Sequence, residues 1–192
     1  MDPFSIHLDF STGVLSPCPT HIQRRLSDMA DMYADREAAQ QAIDKGDPVL
    51  YEVYQYDVPA NSGQLLVVTS IIHPGRIGDE YHMTKGHYHA RRDTAEVYVG
   101  LRGHGRLLLC TEDGRFESLP FCPAAVTYIP PHWAHRMANT GGEDLVFFGV
   151  YPADAGHDYG SIESTGFPYR LLERAGEPTL LPNPSYGRAR VG

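Results

Sequence analysis

Two imidazoles one residue apart, His87 and His89, precede a carboxylate, Glu96, and a further imidazole, His135, follows the pair Pro130-Pro131. Imidazole nitrogen and carboxylate oxygen are donors that divalent first-row metals take. Three of the first with one of the second suit Fe(II), Mn(II), Ni(II) and Zn(II) alike. Alternate side chains of a strand share a face, so His87 and His89 point the same way. Glu96 lies in the apolar run 95–99, Ala-Glu-Val-Tyr-Val, where an unpartnered carboxylate is costly to bury. These four are the candidate metal ligands. Without thiolate donors they do not resemble a closed structural zinc site, and on an octahedral ion they leave two positions open. For His73, His82 and His104 we prefer the ordinary reading, a surface or hydrogen-bonded histidine.

Such ligands need strands to hold them, and the chain supplies them. Asp35 can cap a helix over 36–43, stopped by Gly46 and Pro48. Beyond it, helix signals fade. Strands are expected over 49–58, 64–72, 94–101, 106–111, 125–129, 135–140 and 145–151, separated by turn residues that include the pair Asp113-Gly114. Strands of that length at short spacing predict an all-β sandwich or barrel. With 192 residues the chain is read as one domain. Residues 1–48 form an N-terminal arm and a short helix, 49–167 the barrel core with the metal site, and 168–192 a surface extension.

The net charge of −8 is spread along the chain without a basic run, which argues against nucleic acid and anionic membrane as partners. No apolar stretch reaches a membrane span, and the first residues do not form a signal peptide. Cys18, Cys110 and Cys122 are odd in number and widely spaced, as expected of free thiols in the cytoplasm.

The pattern His87-x-His89, Glu96, Gly103, then Pro130, His135 and Asn139, resembles the cupin superfamily, though His132 stands where its second motif has glycine. Several segments resemble, more narrowly, the cupin-type (archaeal-type) glucose-6-phosphate isomerases. They are Arg25-Leu26-Ser27-Asp28-Met29, the run 47–54, Thr84-Lys85-Gly86-His87-Tyr88-His89-Ala90, the runs 95–99 and 128–136, and Tyr-Pro-Ala-Asp-Ala-Gly-His-Asp-Tyr-Gly at 151–160. That resemblance implies a cupin double-stranded β-helix (jelly-roll barrel) and a homodimer. It also implies one divalent metal per subunit on His87, His89, Glu96 and His135, with Fe(II) ahead of Mn(II), Ni(II) or Zn(II).

The implied reaction is an aldose–ketose isomerisation of a sugar phosphate in glycolysis and gluconeogenesis. Ser70, Thr84, Gly86 and Tyr151 are then the phosphate-side residues, and Tyr51, Tyr98, His157 and Tyr159 line the sugar pocket. Glu96 is ligand first and proton-transferring base second, since a bound cation lowers a carboxylate's proton affinity. Tyr54 and Tyr128 are assigned to the core, and Lys85 is the one cation beside the metal motif. Two other readings use the same ligands, an Fe(II)-dependent cupin dioxygenase and a non-catalytic sugar-binding cupin.

Overall fold

A computed structural model describes residues 1–187. The last residues of the expected extension, 188–192, lie outside the described residues. The chain opens with two short strands, β1 (His7–Leu8) and β2 (Leu15–Ser16), then β3 (Thr20–Arg25). Two single 3-10 turns, Leu26–Asp28 and Ala30–Met32, lead to helix α1 (Arg36–Asp44), whose cap is Asp35 as expected. Strands β4 (Val49–Tyr56) and β5 (Leu65–Ile72) follow, then the short β6 (Arg76–Ile77), β7 (Glu80–Tyr81) and β8 (Tyr88–His89). The barrel continues with β9 (Glu96–Arg102), β10 (Gly105–Cys110), β11 (Phe116–Phe121) and β12 (Val126–Ile129). It closes with β13 (Ala134–Asn139) and β14 (Leu145–Pro152). Last come β15 (His157–Asp158), helix α2 (Tyr159–Thr165) and the hairpin β16 (Tyr169–Arg174) with β17 (Glu177–Pro182).

Six strands form one sheet in the order β12-β9-β14-β5-β4-β3, and three form another in the order β11-β10-β13. From β9 to β14 the chain passes back and forth between these two sheets, which is the jelly-roll path the sequence implied. Between them lie Leu107, Phe121, Ile129, Met137, Leu145 and Phe147, each at most 2% exposed. Burial of that apolar surface is the main force holding the sheets face to face. At Gly100 the backbone approach is close enough to demand glycine. A Cβ on Gly100 would sit 2.0 Å from the Cys122 carbonyl oxygen, beside the register shift where β9 meets β14.

Four expectations need correction. The tail is not a loose surface extension. β16 and β17 pair along their full length, Leu171 is 3% exposed, and Arg170 forms a buried ion pair with Glu80. The Ala175-Gly176 pair marked a hairpin turn, and both residues have positive φ. Nor is the region after α1 free of helix. α2 contains poor helix formers, yet Asp158 accepts hydrogen bonds from Ser161 N and Oγ at its start, and Ile162 is buried. Tyr128 is 61% exposed on the edge strand β12, not in the core. Tyr54 also leaves the interior. Tyr51, Val53 and Gln55 take the inward face of β4, so alternation sends Tyr54 outward to stack on His21.

Candidate metal centre

The four candidate ligands are gathered by different elements. His87 and His135 face each other across a bridge of two backbone hydrogen bonds, 3.2 and 3.1 Å long. His89 comes from β8, Glu96 opens β9, and His135 is the second residue of β13. One ligand atom from each lies within 4.8 Å of all the others. Glu96, His135 and His89 are no more than 5% exposed.

These residues fit a metal ion on grounds independent of any resemblance. His87 Nε2 and His135 Nε2 are buried without a hydrogen-bond partner. Such atoms are rare in a settled interior and call for a species that takes their lone pairs. His135 Nε2 does lie 2.9 Å from Glu96 Oε2, but not along a hydrogen-bond direction. On the far side of His89, Nδ1 is 2.8 Å from Thr94 Oγ1, whose own proton goes to the Arg91 carbonyl. That leaves His89 Nδ1 as donor, with Nε2 free to face the centre.

Electrostatics agree. Burial, reinforced by His135, His157 and His89, holds His87 well below the usual imidazole value, so it is neutral and able to ligate. Burial pushes the Glu96 carboxyl upward, but the His135 and His89 imidazoles beside it outweigh that push, and the group stays below the ordinary carboxylate range.

Beside the candidate ligands opens a cavity. Its walls include His87, Glu96 and His135, and every predicted substrate residue: Tyr51, Ser70, Thr84, Gly86, Tyr98, Tyr151, His157 and Tyr159. Gly86 has φ +73, and a Cβ there would come within 3.1 Å of Phe167, Arg136 and the His135 carbonyl, so only glycine brings this backbone to the wall. Burial raises the Tyr51 phenol to about 12 and also pushes Tyr98, Tyr151 and Tyr159 up. All four remain hydrogen-bond donors at neutral pH.

His157 and Tyr159 reach the cavity because β15 pairs with β8, setting His157 opposite His89. Their segment is tied down by ion pairs from Arg92 to Asp158 (2.6 Å), Lys85 to Glu163 (3.0 Å) and Arg91 to Asp154. Lys85 is thereby spent on a carboxylate and does not line the cavity. Sequence reasoning missed Ile22, Arg24, Val53, Gln55, Val68 and Phe147 in the walls. Extending the alternation from Tyr51 would have found Val53 and Gln55. No local signal shows that β3 joins this sheet.

His73, His82 and His104 stand apart from the centre, as preferred. His73 lies between Glu52 and Asp144, His82 is buried with Nδ1 bonded to the His73 carbonyl, and His104 is exposed. Cys18, Cys110 and Cys122 are free. Among the described residues no helix is long and apolar enough to cross a membrane.

Comparison with known proteins places this geometry. A family model described as glucose-6-phosphate isomerase matches residues 23–178. The glucose-6-phosphate isomerase of Thermococcus gammatolerans is 46% identical over 184 residues, 96% of each chain. That of Pyrococcus abyssi is 44% identical over 185 residues, 96% of this chain and 97% of its own. A bacterial relative of the same name, from Sinorhizobium medicae, is 40% identical over 167 residues, covering 86% of this chain and 78% of its own. The family match takes in every residue of the centre. The chain belongs to the glucose-6-phosphate isomerase family, in its cupin-type branch.

Proposed function

We propose that this chain interconverts glucose 6-phosphate and fructose 6-phosphate with one divalent metal ion per subunit, Fe(II) ahead of Mn(II), Ni(II) or Zn(II). The observation that carries this reading is the cavity itself. The four-ligand group and the hydroxyl-bearing residues Tyr51, Ser70, Thr84, Tyr98, Tyr151 and Tyr159 share one enclosed space.

The reaction moves one hydrogen between C2 and C1 of the open-chain sugar. A bound divalent ion supplies Lewis-acid polarisation of the oxygens on those carbons. The protein side of the work is orientation. His87, His89, Glu96 and His135 would hold the ion against the wall. Tyr98 presents its phenol to the sugar, while Ser70 Oγ, Thr84 Oγ1, the Gly86 N–H and the Tyr151 hydroxyl offer donors to the phosphate. Burial of the centre excludes water that would compete for the same oxygens. Glu96, tied to two imidazoles, acts as ligand before base.

The same reading places the enzyme in the cytoplasm, in glycolysis and gluconeogenesis, as a homodimer. The free cysteines support the compartment, and exposed Val126 and Tyr128 on the edge strand β12 offer an apolar surface for a second copy. A dioxygenase would have no use for the hydroxyl-bearing wall, and the match to an isomerase family favours an enzyme over a non-catalytic sugar-binding protein.

A coupled assay converting fructose 6-phosphate to glucose 6-phosphate tests the proposal. Chelator-stripped protein is expected to lose turnover and regain it with added Fe(II) or Mn(II). His135→Ala is expected to lose metal and more than about 100-fold of activity while keeping its circular dichroism spectrum. Full turnover in metal-free protein would overturn the reading.

A further inference from the structure

Among the described residues, Arg24 is the one lysine or arginine lining the cavity. Its position follows from register. β3 pairs antiparallel with β4, setting Ile22 opposite Val53 and Arg24 opposite Tyr51, and all four side chains reach the cavity wall. Gln23 and Arg25 alternate to the outer face, where Gln23 bonds Glu52 and Arg25 bonds the Asp47 carbonyl.

The guanidinium has no carboxylate to hold. Among the described residues, eight of the other eleven arginines pair with one. For Arg24 no carboxylate lies within ion-pair distance. Its charge falls instead on the phenols of Tyr51 and Tyr159, where it works against the upward push of burial. A half-buried cation set among neutral hydroxyls, with no carboxylate beside it, is a ready partner for an anion. Within the curved sheet, Glu96 lies on β9 next to one edge, and Arg24 on β3 at the other. Ser70 on β5 and Tyr51 on β4 stand between them.

We propose that Arg24, brought in by the N-terminal arm, is the cation that takes the anionic end of the substrate and so selects a phosphorylated sugar over a neutral one. The planar guanidinium offers two parallel N–H groups to a phosphate, with the Tyr51 phenol beside it. This rests on the isomerase reading above and assigns the substrate's charge to a named group. Lys85 and Arg136 cannot serve. Lys85 pairs with Glu163, and the buried Arg136 donates to the Lys85 carbonyl.

The experiment compares wild type with Arg24→Gln and Arg24→Lys, all metal-loaded, in two arms. In the kinetic arm, Arg24→Gln is expected to raise KM for fructose 6-phosphate about tenfold or more, with kcat changing less and metal content unchanged. Arg24→Lys should fall between, because it keeps the charge but not the fork. In the binding arm, inorganic phosphate is titrated calorimetrically, and Arg24→Gln is expected to weaken its affinity about tenfold or more. Unchanged KM with unchanged phosphate affinity would overturn the role of Arg24 while leaving the isomerase reading intact. If wild type did not turn over the sugar phosphate, the isomerase reading would fall, and the phosphate titration would still decide Arg24 alone.

Discussion

His89 shows how one residue outside the ligand set governs the centre. Thr94 Oγ1 fixes which nitrogen of His89 carries the proton, and Thr94 is itself 4% exposed and held by the Arg91 carbonyl. Thr94→Val keeps the shape and removes the acceptor. Loss of such a partner typically weakens metal binding about 10- to 100-fold. The lower end, about tenfold, is expected here, because the Thr94 carbonyl at 3.2 Å can still accept from Nδ1. A competitive metal titration against a chromophoric chelator measures it, and unchanged affinity would remove Thr94 from the account. The ligands themselves were legible in sequence because metal donors are few in kind and the strand period is two. Arg24 was not, because its role depends on β3 pairing with β4 across a separation that no local pattern encodes.

At the scale of elements, the Pro-Pro turn that delivers His135 carries a backbone anomaly. His132 has φ +69, the left-handed conformation that suits glycine, the residue the general cupin motif has at this place. Its N–H donates to the Arg92 carbonyl at 2.8 Å, so the turn holds its shape despite the side chain. A non-glycine residue there costs about 1–2 kcal/mol, partly offset because glycine loses more chain entropy on folding. His132→Gly is therefore expected to stabilise the protein by about 0.5–1 kcal/mol, read as a shift of the urea midpoint at constant m-value. A destabilised variant would mean that the exposed imidazole contributes more than the backbone loses. Most strand positions from 49 to 151 could be read in advance because turn residues punctuate them, but β11 and the short β6 and β7 were missed. α2 could not, since its stability comes from the Asp158 cap and buried Ile162 rather than from helix propensity.

Across the whole molecule, acid sensitivity has a source apart from the metal. Burial lowers the proton affinity of His82, and the nearby His73 charge adds to that effect against the His73 carbonyl bond. An unfolded His82 titrates near its ordinary value and binds a proton that the folded form refuses. Its stabilising contribution is therefore present above about pH 6.5 and lost as pH falls from there through the folded-state value. One such proton changes stability by at most about 1.4 kcal/mol per pH unit. His82→Gln should flatten the fall of unfolding free energy between pH 6.5 and 5, and an equally steep profile would rule His82 out as the source. The placing of the ligands also sets a timetable. His87, His89 and Glu96 leave the ribosome close together, whereas His135 follows roughly forty residues later, about 2 to 8 seconds at ordinary rates of synthesis. During that interval the nascent chain offers three donors and no closed sheet around them. On the proposed metal-dependent reading, metal capture is thus a late event in the life of the chain, timed by the arrival of β13.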